Sequence, residues 1–190
     1  MKQKRILVIL AHSSSVSFGS SLAQEYMAAA MASGHEVRTL ILDQLQFDPI
    51  LHQAFHRVQT LEPDLIKAQS DLMWAEHICW VYPIWWGGMP ALMKGFIDRT
   101  FLPGFAFKYE AGKKFPKPLL KGRTAQLIVT MDTPPWFFRW FYRAPGIAQM
   151  QKTILEFCGV RPVKVLCLGP IIDSTLAQRQ AMLSRVKALI

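Results

Sequence analysis

Residues 5–22, RILVILAHSSSVSFGSSL, carry the clearest signal of the fold. Their apolar run, 5–11, has the length of a β-strand and shows no polar alternation, as expected for a strand covered on both faces. A serine-rich loop follows, and then a helical stripe over 20–33 that Gly34 ends. A buried strand that passes through a polar loop into a helix predicts the first half of a parallel β-α-β unit.

The rest of the chain repeats this alternation. Further strands are predicted at 36–42, 77–82, 124–131 and 162–168, with helices at 62–74, 90–100 and 146–158 and a last helix capped by Ser174. We interpret 132–145 as irregular. Strands alternating with helices predict an α/β three-layer sandwich around a five-stranded parallel sheet, with residues 1–190 as a single domain. For the strand order 2-1-3-4-5, a ligand is expected outside the carboxyl ends of strands one and three.

Composition narrows the class of protein. Apolar residues make up 51% and charged residues 18%, which excludes a disordered chain. The net charge of +9 comes from scattered basic residues without a recognition motif, so we expect no nucleic-acid partner. Three cysteines without CxxC spacing predict free thiols in the cytoplasm, and neither disulfides nor a metal site. The longest uncharged run, 77–93, is broken by proline and glycine, so no transmembrane segment is expected.

The loop after the first strand, 12–21, has the composition of a phosphate site. Serine hydroxyls would stand beside the free amides of a helix N-terminus, and Gly19 would allow close backbone approach. Neither GxGxxG nor a Walker A lysine is present, which argues against a dinucleotide fold and an ATPase. The alternative is a serine-rich turn with an N-cap. His12, at the end of the strand, is interpreted as a phosphate contact or as a structural histidine.

The loop after the third strand, YPIWWGGMP (82–90), points to a planar ligand. Two adjacent tryptophans in a loop of glycine and proline are difficult to explain as core, because loops lie at the surface. Flat side chains and close backbone approach suit a heteroaromatic ring, and amides from Trp85 to Gly88 would donate to the pyrimidine end of a flavin. An exposed aromatic patch used for dimerisation is the alternative.

Two segments resemble the NAD(P)H:quinone oxidoreductase family, a flavodoxin-like family that includes modulator of drug activity B and the ancillary subunits of potassium efflux systems. They are AHSSSVSFGSSL (11–22) and YPIWWGGMPALMKGFIDRTFLPGFAF (82–107), and the resemblance extends over about the whole chain. The pattern P-x-x-W-x-x-x-P-A-x-x-K-G-x-x-D/E-R is specific. The resemblance implies a non-covalent flavin, a homodimer with sites at its interface, and ping-pong hydride transfer from NAD(P)H to a quinone or similar acceptor.

The resemblance also implies which residues bind the cofactor. The phosphate side would be held by His12, Phe18, Gly19, Ser20 and Ser21; the isoalloxazine would be lined by Pro83, Ile84, Trp85, Trp86 and Gly87; and its other edge would meet Thr130, Met131, Asp132 and Thr133. The short chain favours FMN, with FAD as the alternative. We assign no catalytic residue, because TMDTPPWFFRWFYR (130–143) lacks the glycines, and the histidine beyond them, that family members carry there.

The sequence allows alternative interpretations of two segments and of the biological role. The stretch WFFRWFY (136–142) is interpreted as a lid, a dimer interface or a patch in peripheral contact with a membrane that holds lipid quinones. The basic loop 108–123 would attract the phosphates of NAD(P)H or be a solvated loop. Two other classes of protein compete with a reductase: an electron-transfer flavodoxin, and a flavin-binding regulatory subunit of a membrane transporter.

Overall fold

Strands and helices alternate along the residues that the computed structural model describes, which are 2–14, 16–54, 57 and 59–190. The strands are β1 (Arg5–Leu10), β2 (Glu36–Ile41), β3 (His77–Pro83), β4 (Phe107–Lys108), β5 (Lys117–Pro118), β6 (Thr124–Thr130) and β7 (Val163–Leu168). The helices are α1 (Phe18–Ala32), α2 (Pro63–Trp74), α3 (Ala91–Thr100), α4 (Pro135–Trp140), α5 (Pro145–Ala148), which continues as a wider helical segment over Gln149–Glu156, and α6 (Leu176–Lys187).

The main sheet is parallel and has the order β2-β1-β3-β6-β7. This confirms the predicted five-stranded sheet of order 2-1-3-4-5, since β4 and β5 form a separate antiparallel hairpin within the long loop after α3. The continuous apolar runs in β1, β3 and β6 reflect their position inside the sheet, where both faces are covered.

Two apolar layers lie on opposite faces of the sheet, because successive side chains of a strand point to opposite sides. Ile6, Val8 and Leu10 of β1 pack with the helices α1 and α6, whereas Leu7 and Ile9 pack with α2, α3 and the helical segment 145–156. The arrangement is therefore a three-layer α/β sandwich, as the sequence predicted.

Two local predictions are wrong. The segment 132–145 is not irregular throughout, because Pro135 occupies the first position of α4 and Phe138 anchors that helix in the core. The cap of the last helix is Thr175 and not Ser174: the Thr175 hydroxyl accepts from the amide of Gln178, whose side chain in turn accepts from the Thr175 amide.

The carboxyl ends of the inner strands lie next to one another. Pro83 at the end of β3 is opposite Thr130 at the end of β6, and the Ile84 amide donates to the Thr130 carbonyl at 2.8 Å. The Ala11 amide, just beyond β1, donates to the Val81 carbonyl at 2.8 Å. The loops that follow β1, β3 and β6 therefore start from one edge of the sheet.

Two further expectations concern the cysteines and the possibility of a membrane-spanning helix. Cys79, Cys158 and Cys167 are all free, as predicted. Among the helices of the described residues, none combines the length and the apolar character needed to cross a bilayer.

Candidate functional site

A cavity of about 170 Å³ opens where the loops after β1, β3 and β6 meet. It lies outside the carboxyl ends of the strands, at the point where the strand order reverses, which is the usual ligand position in open α/β sheets. Two larger cavities lie elsewhere: one of about 380 Å³ at the amino end of the sheet and one of about 430 Å³ beside the edge strand β7. Position in the fold, rather than volume, marks the smaller cavity as the candidate site.

The loop after β1 presents a helix N-terminus to the cavity. Ser17 caps α1, and its side-chain oxygen accepts from the Ser20 amide at 3.2 Å. Ser17, Phe18 and Gly19 line the cavity, and a Cβ added to Gly19 would meet only ordinary contacts from 3.5 Å outward. The first turn of α1 carries no acidic side chain, so the positive end of the helix dipole is left for an anion.

His12 is held in a defined orientation at the other side of this loop. Its Nδ1 accepts from the Ser14 amide at 3.0 Å, so the proton of the neutral imidazole is on Nε2. The ring also meets Trp85 edge to face, with centroids 5.4 Å apart. His12 can therefore donate a hydrogen bond from Nε2 while Nδ1 stays occupied.

The loop after β3 is a tight turn closed by two hydrogen bonds. Trp85 and Gly88 exchange amide-to-carbonyl bonds of 2.9 Å, and Trp86 and Gly87 between them have φ of 52° and 78°. Positive φ at both central residues is the signature of a type I′ turn. The prediction that all four amides are available to a ligand is therefore wrong for Trp85 and Gly88. Within the described part of the chain, the amides of Trp86 and Gly87 make no hydrogen bond.

The start of α5 supports this turn from behind. The Gly146 amide donates to the Gly87 carbonyl at 2.9 Å. A Cβ on Gly146 would lie 2.5 Å from that oxygen and 2.8 Å from the Gly88 Cα, closer than real Cβ contacts. The turn and α5 thus meet backbone to backbone, which only a residue without a side chain allows.

The loop after β6 is fixed by the neighbouring strand and its loop. The Met131 amide donates to the Leu168 carbonyl at 3.0 Å, and the Asp132 carboxylate accepts from the Ile172 amide at 2.9 Å. This second bond ties the loop after β6 to the loop after β7, so that Ile171 reaches the cavity.

Arg179 on α6 places a permanent positive charge beside the first loop. Its guanidinium carbon lies 5.5 Å from the centre of the Phe18 ring, and its Nε donates to the Ser174 hydroxyl at 2.9 Å. Sequence reasoning missed Arg179, Ser17 and Ile171. The first and the last are far from the motifs along the chain, whereas Ser17 belonged to the quoted serine loop and its capping position was the available signal.

The structure brings most of the predicted cofactor residues to one cavity. The members of that group are His12, Phe18, Gly19, Pro83, Ile84, Trp85, Thr130, Met131 and Asp132. Five predicted residues do not line it: Ser20, Ser21, Trp86, Gly87 and Thr133. The Trp86 side chain is fully exposed to solvent, beside the cavity rather than in it.

The comparisons with known proteins agree with this architecture. The model of the Flavodoxin_2 family, described as having a flavodoxin-like fold, matches residues 4–190. An uncharacterised NAD(P)H oxidoreductase from Haemophilus influenzae is 31% identical over 170 residues, covering 87% of this chain and 83% of that protein. NAD(P)H dehydrogenase [quinone] 1 from Cavia porcellus is 28% identical, covering 82% of this chain and 65% of the relative.

A solved structure extends the agreement to three dimensions. The crystal structure of Smu.1420 from Streptococcus mutans UA159 superposes with a TM-score of 0.83 at 30% identity and covers 97% of both chains. The fold and site thus define a flavodoxin-like protein. The chain belongs to the NAD(P)H:quinone oxidoreductase family of such proteins, and it is an oxidoreductase.

Proposed function

We propose that this protein is a cytoplasmic, flavin-dependent reductase that passes a hydride from NAD(P)H through bound flavin to a quinone or related acceptor. Residues 1–190 would form one domain, with FMN as the cofactor and FAD as its alternative. One observation carries it: a helix N-terminus, an aromatic turn and a third loop line a single cavity at the switch point of the sheet. This combination suits a flat ring with a phosphate tail.

The donors around the first loop fit the phosphate tail. The amides at the start of α1 and the Nε2 proton of His12 would donate to phosphate oxygens. Arg179 would add charge from the α6 side. Ser20 and Ser21 would act from the rim of the site, because neither lines the cavity.

The turn after β3 fits the ring. Trp85 and Ile84 offer apolar wall. Trp86 and Gly87 lie outside the cavity lining, so their amides, which have no hydrogen-bond partner among the described residues, would donate to the pyrimidine edge of a ring that extends past the rim. Amides held in a rigid turn need no reorganisation when negative charge develops on a bound group. When bound, the flavin supplies the acceptance and release of hydride, and these residues orient it and exclude water.

The size of the cavity supports a homodimer and a ping-pong mechanism. About 170 Å³ is below the roughly 300–1,000 Å³ usual for small-molecule sites, which supports the inference that a second chain would complete the enclosure. A second copy placed over the fully exposed Trp86 would complete the site. One narrow cavity would then admit NAD(P)H and the acceptor in turn.

Purified protein tests the proposal directly. We expect a yellow protein that releases FMN or FAD on heating and oxidises NAD(P)H with a soluble quinone, giving parallel double-reciprocal lines. Bound flavin without turnover would favour the regulatory subunit or the electron-transfer flavodoxin, although the net charge of +9 is unlike the acidic surface of the latter. Protein that stays colourless after incubation with excess FMN and FAD would contradict all three.

A further inference from the structure

Helix α4 and the two residues after it expose an unusual set of large aromatic rings. Trp136, Trp140, Phe141 and Tyr142 are 67%, 77%, 71% and 53% exposed, whereas Phe138 is buried and anchors the helix. The rings are mutually ordered, since Phe137 stacks on Phe141 with centroids 4.8 Å apart. Single exposed aromatics are ordinary, but a contiguous group on one short segment indicates a binding surface.

The charged side chains of the segment that carries these rings all have one sign. Residues 133–155 contain no aspartate or glutamate. Arg139, Arg143 and Lys152 line the cavity of about 430 Å³ beside β7, together with the apolar side chains of Phe138 and Val165. The basic groups are therefore gathered at one depression next to the exposed rings. We name this set the aromatic-basic surface: Trp136, Arg139, Trp140, Phe141, Tyr142, Arg143 and Lys152.

We propose that the aromatic-basic surface binds a membrane surface rich in anionic phospholipid. Tryptophan and tyrosine favour the headgroup level of a bilayer, where the ring is partly desolvated and its polar atom stays wet. Arginine and lysine beside them contact lipid phosphates, and two kinds of attraction together make a stable peripheral attachment. The segment supplies both from one short stretch of chain.

Charge favours a membrane over a second copy of the chain at this surface. In a two-fold interface centred on the surface, Arg139 and Arg143 would face their own copies. No acidic side chain in 133–155 would offset that repulsion, which is costly once the groups are desolvated. An anionic bilayer presents the opposite sign.

The surface is also connected to the candidate site. The helix α5 begins two residues after Arg143, and the Gly146 amide donates to the Gly87 carbonyl of the aromatic turn. If the proposed function holds, a lipid-soluble acceptor would reach the cavity from the membrane side. Membrane binding itself does not depend on the reductase activity.

Vesicle sedimentation of the full chain, without NAD(P)H or acceptor, tests the proposal. We compare vesicles of phosphatidylcholine with vesicles containing one third phosphatidylglycerol, and expect binding to the anionic vesicles to be at least about tenfold tighter. The double variant Trp140→Ser/Phe141→Ser should weaken that binding by about fivefold or more. The double variant Arg139→Gln/Arg143→Gln should remove most of the preference for anionic lipid, as should high salt.

Matched control variants distinguish binding by this surface from nonspecific hydrophobic adsorption and from the effect of net charge. Tyr109→Ser/Phe115→Ser removes two similarly exposed rings elsewhere, and Lys114→Gln/Lys187→Gln removes the same charge as the arginine variant. Equal losses in control and test variants would overturn the proposal, as would wild-type protein that binds neither vesicle. A dimer that the Trp140→Ser/Phe141→Ser variant turns into monomer without loss of vesicle binding would make the surface an interface between copies. Wild-type protein that binds anionic vesicles but shows no reductase activity would count only against the proposed function.

Discussion

Trp86 combines a fully exposed aromatic side chain with a backbone conformation that aromatic residues seldom adopt. Its φ of 52° costs about 1–2 kcal/mol relative to a right-handed conformation. Neither feature contributes to the stability of the isolated chain. Strain of this kind persists where a site requires the geometry, here a turn in which two adjacent amides have no hydrogen-bond partner among the residues that the structure describes.

Replacing Trp86 by alanine should weaken flavin retention by about tenfold, or ~1.4 kcal/mol, because the ring would cover the cofactor while contributing little to the core. The control is Trp74→Ala, since the Trp74 ring lies far from the cavity under the Arg38 guanidinium, 4.1 Å away. Flavin bound per chain after gel filtration, together with the melting temperature, measures both effects. Equal flavin retention in the two variants would count against the assignment of the site.

The residues of the site were predictable from sequence where they directly follow a strand of the sheet. The end of β1, the end of β3 and the end of β6 had to meet once the strand order was set, and so His12, Trp85 and Met131 share one cavity. The exposed position of the Trp86 side chain and the hydrogen bond from the Ile172 amide to Asp132 were not predictable. They depend on a turn closing on itself and on the loop after β7, and neither leaves a periodic signal in the chain.

At the scale of elements, the joint between α5 and the aromatic turn controls the shape of the site. Arg143 and Ala144 both have positive φ, 60° and 46°, which reverses the chain between α4 and α5. This reversal delivers Gly146 against Gly87. The sequence predicts a helix from 146 onward. It does not show that the first turn of this helix supports the aromatic turn, since that contact joins residues far apart in sequence.

Gly146→Ala should displace the aromatic turn, because the new methyl group would lie 2.5 Å from the Gly87 carbonyl oxygen. We expect a loss of about 1–3 kcal/mol in the free energy of unfolding, as for other overpacked sites, and weaker flavin binding. Gly88→Ala is the matched control, since a Cβ there meets no atom closer than 3.9 Å. Urea unfolding and flavin titration check both variants, and a Gly146→Ala protein that matches wild type would contradict the described contact.

Across the full width of the protein, the two ends of the parallel sheet differ in their cavities and in the charged groups that line them. The carboxyl end carries the candidate site, whereas the amino end has a cavity of about 380 Å³ lined by Lys2, Lys4, Lys164, His35 and His77. Positive charge is therefore gathered at an end of the sheet that takes no part in the proposed chemistry. The composition gives the net charge. The clustering is visible only in the structure, where the first residues of the strands and the residues near both chain termini line one cavity.

This clustering makes the stability depend on pH through His77, the first residue of β3. Burial, and then the positive charges of Lys4, Lys164 and His35, lower the pKa of His77 from 6.5 to about 4, while its Nδ1 stays within 2.6 Å of the Thr124 hydroxyl. A histidine with a lowered pKa in the folded state takes up its proton more readily when the chain is unfolded. Its contribution is complete above pH 6.5 and is lost as the pH falls toward 4.

We therefore expect the free energy of unfolding to fall by up to about 3 kcal/mol between pH 6.5 and 4 through this residue. In His77→Gln, which keeps a polar group near Thr124 but cannot titrate, the fall over this interval should be smaller by that amount. Urea unfolding at several pH values measures the difference, and the shift of the His77 ring protons with pH reports its pKa independently. Superimposable pH profiles for wild type and variant, or a pKa near 6.5, would show that the amino end of the sheet does not hold His77 neutral.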